Sequence, residues 1–353
     1  MRQLLLEHLE RYPLMQPQDC VKLFYQSRMG CGHFLSGSSQ VQARLQKEYQ
    51  TCPHTGQLLF ESLGHDYCRL HLSAFDASEL SLETLGNLFV YSSQQPSAGE
   101  NALKEDLLMF DTMVRSKEVP FALSHWESFL SQYQSAGFPA ISHSDTYRQA
   151  YHPSYRVLHR ICRDYWPVLA AVDQLMRKKG GGIIAIDGGS GTGKSRLASF
   201  LSAIFPAAVI HMDDFFLQGF QRTPQRLAEP GGNLDYERFA DQVVCPLRAG
   251  KPFSYEIFDC TCGKLSGVRA VGDSPIRIVE GVYSLHPQWN SLFDLKIFLS
   301  ADLPVRLGRI EKRSGQFLLQ KFQEEWIPKE DLYFDTFSIP DQADIVVDTG
   351  TFF

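Results

Sequence analysis

The feature that most constrains this 353-residue chain is a glycine-rich run between an apolar stretch and a helical pattern. The run matches the pattern GxxxxGK[ST] and consists of Gly188, Gly189, Ser190, Gly191, Thr192, Gly193, Lys194 and Ser195. Apolar residues 183–186 precede it, and residues 196–201 continue with helical spacing. A strand, a loop and a helix in this order form the setting in which backbone N–H groups surround a nucleotide phosphate. The pattern therefore predicts that the chain binds a nucleoside triphosphate.

Each part of this segment has a chemical role in nucleotide binding. Glycines let consecutive backbone N–H groups face the phosphates, and the next helix adds the positive end of its dipole. Lys194 is placed to reach the β- and γ-phosphates, and the Ser195 hydroxyl is placed to hold Mg²⁺. We therefore expect ATP and Mg²⁺ as the cofactors. A glycine-rich surface turn without a ligand is the alternative interpretation.

The second half of the chain alternates short apolar segments with helical patterns. Near-continuous apolar segments are typical of a parallel sheet that helices cover on both faces. They predict an α/β P-loop NTPase domain with a parallel sheet and with ligands at the carboxyl ends of the strands. The predicted strands are residues 182–187, 207–211, 276–280, 295–299 and 344–347.

In the first half, apolar residues recur mainly at helical spacing. The longest predicted helix covers residues 155–178, and three glycines at 180–182 follow its basic end. We therefore predict a mainly α-helical domain of unknown role over residues 1–178, followed by the P-loop domain over residues 179–353.

Two acidic residues are predicted at strand ends beside the phosphate loop. Asp213, paired with Asp214, follows the strand at 207–211, and Glu280 ends the strand at 276–280. In a phosphotransferase, one carboxylate accepts the proton of the acceptor hydroxyl and another orders Mg²⁺. We expect Asp213 to act as base or metal ligand, and Glu280 to hold Mg²⁺ with Ser195. A helix cap for the aspartate pair and an ordinary strand-end acid for Glu280 are the alternatives.

Three arginines, Arg306, Arg309 and Arg313, recur at a spacing that places them on one face of a helix. A guanidinium group stabilises the charge of a phosphoryl group during transfer. We expect at least one of them to do so, and a solvated basic face is the alternative.

Asp235 follows the loop sequence Pro230-Gly231-Gly232. Its carboxylate suits two roles equally well. It could bind the hydroxyls of an acceptor, or it could cap the helix that begins at Tyr236.

The ordered elements from Gly188 to Asp344 resemble the uridine kinase branch of P-loop kinases, which includes phosphoribulokinase and bacterial pantothenate kinase. The resemblance covers roughly the last half of the chain and implies an ATP-dependent phosphotransferase. It implies that Asp213 is the catalytic base and that Arg309 and Arg313 lie near the transferring phosphate. It also implies that Asp235 binds the acceptor sugar. Residues 250–255 resemble the family's segment that enters the acceptor pocket, which implies that Tyr255 lies at the acceptor. The other matching segments are the phosphate loop, Asp213-Asp214-Phe215-Phe216, Asn233-Leu234-Asp235, Val279-Glu280-Gly281, residues 306–313 and residues 343–347.

The chain departs from this family in the acceptor region. Phe216 stands where the family has Tyr, which removes a hydroxyl from the acceptor pocket. Cys260 and Cys262 stand at about the places where family members that act on uridine have a His and an Arg that bind the base. Because a site that has lost its hydrogen-bonding partners loses the discrimination they gave, these changes argue against uridine as the acceptor.

Composition limits the class of protein. The net charge of −6 argues against nonspecific nucleic-acid binding, which needs a basic surface. No apolar stretch approaches the roughly 20 residues that span a bilayer, so we expect no membrane partner and a cytoplasmic location. Three pairs, Cys31 with His33, Cys52 with His54 and Cys68 with His71, lack the repeated CxxC spacing of a zinc site. We therefore expect the eight cysteines to be free thiols.

The leading hypothesis is an ATP- and Mg²⁺-dependent kinase that phosphorylates a hydroxyl of a small nucleoside-like or sugar-like metabolite. The alternative is an ATP-dependent switch or binding protein that engages a partner through its helical half. A third hypothesis gives that half its own small-molecule chemistry. The sequence leaves open whether the chain forms a homo-oligomer.

Overall fold

The computed structural model describes residues 1–31, 38–56 and 58–352. The chain divides into a first unit, Met1–Trp166, and a second unit, Pro167–Phe353. The helix Trp166–Lys179 begins at this division, and the predicted domain boundary at residue 178 lies near the end of the same helix.

The first unit consists of helices and one small antiparallel sheet. Its strands are β1 (Phe60–Ser62), β2 (Tyr67–His71) and β3 (Tyr155–His159), with β2 in the middle. Apolar residues at helical spacing bury one face of most helices, as Leu103, Leu107 and Phe110 do in α5. The helices are α1 (Arg2–Arg11), α2 (Pro17–Met29), α3 (Ser38–Thr51), α4 (Leu82–Ser93), α5 (Gly99–Arg115), α6 (Leu123–Ser135), α7 (Asp145–Tyr151) and α8 (Arg160–Asp164).

The predicted helix over residues 155–178 is wrong in its first part. Tyr155–His159 is strand β3, which pairs with β2 along its whole length. Helix α9 (Trp166–Lys179) forms the remainder, after the short helix α8. The apolar residues of this segment satisfy helical spacing, but Val157 and Leu158 are buried by the cross-strand pairing with β2.

The cysteines of the first unit are buried. Cys31, Cys52 and Cys68 are free thiols, and the Cys68 thiol donates to Leu158 O at 3.6 Å. His33 lies outside the described residues. Across residues 1–31, 38–56 and 58–352, no group of three or more His, Cys, Asp or Glu side chains could hold a metal ion. In the same ranges, no helix has the length and apolar character that crossing a bilayer requires.

The second unit is built on a parallel five-stranded sheet, which confirms the predicted α/β fold. The strand order is β10-β9-β4-β8-β5, so β4, which leads into the phosphate loop, is central. All four pairings are parallel. The strands are β4 (Gly182–Gly188), β5 (Ala207–His211), β8 (Ile276–Glu280), β9 (Leu295–Ser300) and β10 (Ile345–Asp348), close to the predicted bounds.

The second unit also contains a two-stranded antiparallel hairpin outside this sheet, which was not predicted from the sequence. The hairpin consists of β6 (Phe253–Asp259) and β7 (Lys264–Val271), and the turn between them contains Cys260 and Cys262. Helix α10 (Lys194–Ile204) follows the phosphate loop, and α14 (Leu303–Lys321) contains the three predicted arginines. The remaining helices are α11 (Pro224–Ala228), α12 (Tyr236–Phe239), α13 (Cys245–Ala249) and α15 (Ile327–Phe337).

Candidate active site

The phosphate loop connects β4 to α10 through three glycines that other residues could not replace. Gly188, Gly191 and Gly193 have φ values of 137°, 83° and 98°, which disfavour residues with a Cβ. A Cβ on Gly188 would lie 2.2 Å from Leu299 O on the neighbouring strand. The loop is therefore a compact backbone turn packed against β9.

The Lys194 side chain is folded onto this loop. Its Nζ donates to Gly188 O at 2.7 Å and to Gly189 O at 3.0 Å. The side chain is buried, with 9% of its surface exposed, and it lines the cavity in front of the loop. This places the positive charge at the point where the sequence predicts nucleotide phosphates.

Ser195 and Glu280 meet at the carboxyl end of the sheet. The Ser195 hydroxyl lies 3.1 and 3.2 Å from the two carboxylate oxygens of Glu280. Glu280 ends β8, directly beside β4, and is buried with 4% exposure. His211 Nδ1 lies 2.5 Å from Glu280 Oε1, and this hydrogen bond raises the pKa of the His211 imidazole.

The aspartate pair divides into one residue that faces the cavity and one that is buried. Asp213 lines the cavity, and its side chain is exposed to the cavity. The protein atoms around the cavity nevertheless exclude much of the bulk water from the Asp213 carboxylate. This desolvation raises the pKa of Asp213, and the nearby Glu280 carboxylate raises it further, whereas Lys194 opposes the shift. A higher pKa makes the carboxylate a better proton acceptor.

Asp214 has a structural role beneath Asp213. Its Oδ2 accepts a hydrogen bond from the Tyr255 hydroxyl at 3.0 Å and forms an ion pair with Arg269 Nε at 3.2 Å. The Asp214 backbone oxygen accepts from Arg238 Nη2 at 2.8 Å. These contacts fix the turn after β5 on which Asp213 lies.

The phosphate loop is held by a buried ion pair that was not predicted from the sequence. Arg306 Nη2 donates to Glu330 Oε2 at 2.8 Å, and Arg306 Nε donates to Ser190 O at 2.8 Å. The same Glu330 oxygen accepts the Ser190 backbone N–H at 2.9 Å, and the Ser190 hydroxyl donates to Glu330 Oε1. No sequence pattern links Ser190 with Glu330, which is 140 residues away.

Arg309 and Arg313, which were predicted to lie near the transferring phosphate, both line the cavity. Arg309 donates to Gly191 O at 3.2 Å and to Thr349 O at 2.6 Å, so its guanidinium is fixed at the loop. Arg313 is exposed, and its guanidinium lies 5.9 Å from the centroid of the Phe322 ring. Arg306, by contrast, contributes to the structural ion pair.

Of the three predicted acceptor residues, Phe216 lines the cavity. Asp235 and Tyr255 are not among the described residues that line it, and both are buried. The Asp235 carboxylate accepts the Arg238 backbone N–H at 3.1 Å and pairs with Arg238 Nε at 3.3 Å. This geometry favours the helix-cap interpretation of Asp235. The buried Tyr255 hydroxyl donates to Asp214 Oδ2 instead of facing the cavity.

The cavity at this end of the sheet has a volume of about 660 Å³. Tyr283 and Asn233 line it and were not predicted; Tyr283 has a φ of 79°, a strained conformation for a residue with a Cβ. Phe258 and Cys260 line it from the β6–β7 hairpin. Among the described residues on the wall, positive side chains exceed negative ones, seven to four: Lys194, Arg196, Arg222, Arg309, Arg313, Lys321 and Lys329 against Asp213, Glu280, Glu325 and Glu330.

These residues fit Mg²⁺ together with a nucleotide. Mg²⁺ in such sites keeps several waters and is bound through one or two carboxylates, a hydroxyl and the substrate phosphates. Ser195 and Glu280 already lie within 3.2 Å of each other, and Asp213 lines the same cavity. The excess of cations suits the negative charge of a polyphosphate.

Comparison with known proteins finds a relative of about half of the chain. No family model matches the chain. Over 162 residues, the chain is 24% identical to uridine-cytidine kinase C of Dictyostelium discoideum, a match that covers 44% of this chain and 36% of that protein. About half of the chain is therefore similar to the uridine kinase-like P-loop kinases. The chain spans about a third of the length of this curated relative.

Solved structures with a likeness to the chain also include kinases. A possible uridine kinase from Bacillus stearothermophilus is 24% identical, with a TM-score of 0.43, and the match covers 53% of this chain and all of that one. D-glycerate 3-kinase from Cryptococcus neoformans is 16% identical, with a TM-score of 0.34, over 44% of this chain and 80% of that one.

Proposed function

We propose that the second unit is an ATP-dependent phosphotransferase that phosphorylates a hydroxyl group of a small metabolite. The observation that carries this proposal is the position of Asp213. Its carboxylate shares one cavity with Lys194, Glu280 and Arg309 at the carboxyl end of a parallel sheet. A proton acceptor, a phosphate loop and a metal-binding carboxylate in one cavity are the parts that phosphoryl transfer to a hydroxyl needs.

In this proposal the nucleotide phosphates bind along residues 188–195, where Lys194 and the backbone N–H groups neutralise their charge. Ser195 and Glu280 would hold Mg²⁺, which supplies positive charge at the phosphates. Arg309 contacts the loop itself, and Arg313 lines the cavity from the same helix, so both are positioned to stabilise charge during transfer.

Asp213 accepts the proton of the acceptor hydroxyl as that oxygen bonds to the γ-phosphorus of ATP, while the bond from the γ-phosphorus to the bridging oxygen breaks and ADP leaves. Its raised pKa, which results from desolvation and from Glu280, suits this role. Asp214 acts through Asp213 as a positioning residue, because its bonds to Tyr255 and Arg269 fix the turn.

The acceptor would lie between Asp213 and the hairpin turn. Phe216, Phe258 and Tyr283 give this part of the cavity aromatic walls, and Asn233 and Cys260 add polar groups. Such a pocket suits a nucleoside-like or sugar-like molecule, which has both a ring face and hydroxyl groups. The departures at Phe216, Cys260 and Cys262 favour a molecule other than uridine.

The test is a screen of nucleosides, sugars and vitamin precursors for ADP formation from ATP and Mg²⁺ by the purified protein. The proposal expects one chemical class to raise ADP formation well above the rate without acceptor. Slow hydrolysis that no metabolite changes would favour the ATP-dependent switch instead.

A further inference from the structure

The first unit contains a cavity of about 740 Å³ that the proposed kinase chemistry does not use. All of its described lining residues belong to this unit, from α2, α3, α4 and the region of α7 and β3. Such a cavity is what the third hypothesis from the sequence, a helical half with its own small-molecule chemistry, requires.

The charged side chains on the cavity wall are mostly positive. Lys22, Arg44, Arg148 and Arg156 line it, whereas Glu48 is the one acidic residue among its described lining residues. Glu48 pairs with Arg44 Nε at 3.0 Å and with Arg156 Nη2 at 2.5 Å. The described wall therefore has an excess of positive charge, whereas the net charge of the whole chain is −6.

Lys22 is the most informative of these cations, because it is buried. Only 9% of its surface is exposed, and among the described residues its Nζ has one hydrogen bond, to Ile141 O at 2.7 Å. An ammonium group has three N–H donors, and a buried charge is costly without a counter-charge. Burial and the charge of Arg69 lower the pKa of Lys22 to about 8. The nearby Asp19 carboxylate partly offsets this effect, and a negative group bound in the cavity would add a partner at the Lys22 Nζ.

A second polar element on the wall is a fixed hydrogen-bonded chain from Asp19 through His143 to Tyr155. His143 Nδ1 lies 2.8 Å from Asp19 Oδ1, and His143 Nε2 lies 2.6 Å from the Tyr155 hydroxyl. Asp19 also accepts hydrogen bonds from Gln16 and Ser144, and these bonds, with that from His143, lower its pKa against the effect of burial.

The direction of each bond in this chain follows from the charges. Because Asp19 is a carboxylate, His143 donates from Nδ1. Burial lowers the pKa of His143 to about 4, so the ring is neutral and Nε2 accepts the Tyr155 proton. Gln26 Nε2 then donates to the same hydroxyl at 3.1 Å. His143, Tyr155 and Gln26 all line the cavity, so its polar wall is rigid before any ligand binds.

Apolar side chains complete the cavity. Phe89, Val41, Pro53 and Val157 lie on its wall. We propose that this cavity binds a small organic anion, a metabolite with a phosphate or carboxylate group and an apolar body. The anionic group would bind at Lys22 and the arginines, and the apolar body would pack against Phe89. The inference is independent of the proposed kinase function.

The test is isothermal titration calorimetry of the full chain with three probes, phenyl phosphate, benzoate and benzyl alcohol. Mg²⁺ and ADP at saturating concentration keep the phosphate loop of the second unit occupied. We expect one or both anions to bind and the neutral alcohol not to bind. The anion that binds more tightly decides between phosphate and carboxylate. Hydrogen–deuterium exchange should show protection in residues 17–29 and 141–158.

Variants connect the binding to the named side chains. Lys22→Met and Arg148→Gln should each weaken anion binding by about tenfold or more, the loss expected for one hydrogen bond to a charged group. Lys47→Met, on α3 but outside the described cavity lining, is the matched control and should leave the affinity unchanged. Because the Arg148 side chain is 55% exposed, that variant should fold even where Lys22→Met does not.

Three outcomes would overturn the proposal. The first is that neither anion binds, or that the alcohol binds as well as the anions. The second is that the Lys22 and Arg148 variants bind with the affinity of the wild type. The third is protection confined to residues 188–196, which would assign the binding to the phosphate loop.

Discussion

Arg306 and Glu330 form a buried ion pair, 2.8 Å between Nη2 and Oε2, that holds Ser190 of the phosphate loop. The Arg306 and Glu330 side chains are 11% and 5% exposed. Removal of one partner from such a pair leaves an uncompensated buried charge. The geometry of the phosphate loop therefore depends on two helices that follow it by more than a hundred residues.

We predict that Arg306→Gln and Glu330→Gln each lower the free energy of unfolding by about 3–5 kcal/mol, the cost of breaking a buried pair. Urea denaturation of each variant measures this loss. Arg313→Gln, on the same helix but exposed, should change stability by no more than about 0.5 kcal/mol. Equal stability of all three variants and the wild type would show that the ion pair does not support the loop.

The glycine at the end of β4 gives a test of the loop backbone. Gly188→Ala places a Cβ at 2.2 Å from Leu299 O at a φ of 137°, so the loop must move. We expect loss of ATP binding, or of folding, measured by titration calorimetry and circular dichroism. Gly272→Ala is the matched control, because a Cβ there meets no atom within 4 Å. An alanine variant at 188 that binds ATP normally would contradict the described loop.

Lys194 should determine nucleotide affinity. Lys194→Met removes a charge that donates to the loop and faces the cavity, and we expect ATP to bind at least about tenfold more weakly, since hydrogen bonds to charged groups contribute about 1.5–3 kcal/mol. Lys264→Met, on the exposed hairpin strand β7, should bind ATP as the wild type does. Titration calorimetry with a non-hydrolysable ATP analogue makes the comparison, and equal affinities in the two variants would refute the phosphate site.

His286 should make stability depend on pH. Burial, with a smaller effect of Arg226, lowers its pKa to about 4 in the folded protein, against about 6.5 in an unfolded chain. Between these values the unfolded state binds more protons, so His286 lowers stability as the pH falls from about 6.5 to 4. Urea denaturation across this range should show a shallower pH dependence for His286→Phe than for the wild type. Parallel curves for the two proteins would contradict the assignment.

The parallel sheet was predictable from sequence, because buried parallel strands are near-continuous apolar runs and the phosphate loop has a fixed spacing. The β6–β7 hairpin was not, since most residues of β7 are exposed and no apolar run marks that strand. The helix prediction for strand β3 was wrong because the apolar residues of this strand also fit helical spacing.

The candidate site was predictable where a residue ends a strand, as Glu280 does, or closely follows one, as Asp213 does. It was not predictable where a side chain comes from a distant helix, as Glu330 does. Tyr255 lies on a strand, and motif spacing alone does not tell which face of a strand a side chain occupies. Asp235 suited two roles in the sequence, and its contacts with Arg238 favour the cap.

The central claim is that Asp213 accepts the acceptor proton in a phosphoryl transfer. Acceptor-dependent ADP formation by the wild type and by Asp213→Asn, with the acceptor that the screen identifies, tests it most directly. The account predicts that the variant binds ATP with unchanged affinity while the rate of transfer falls by about 10²–10⁴-fold. A variant that transfers phosphate at the rate of the wild type would contradict it.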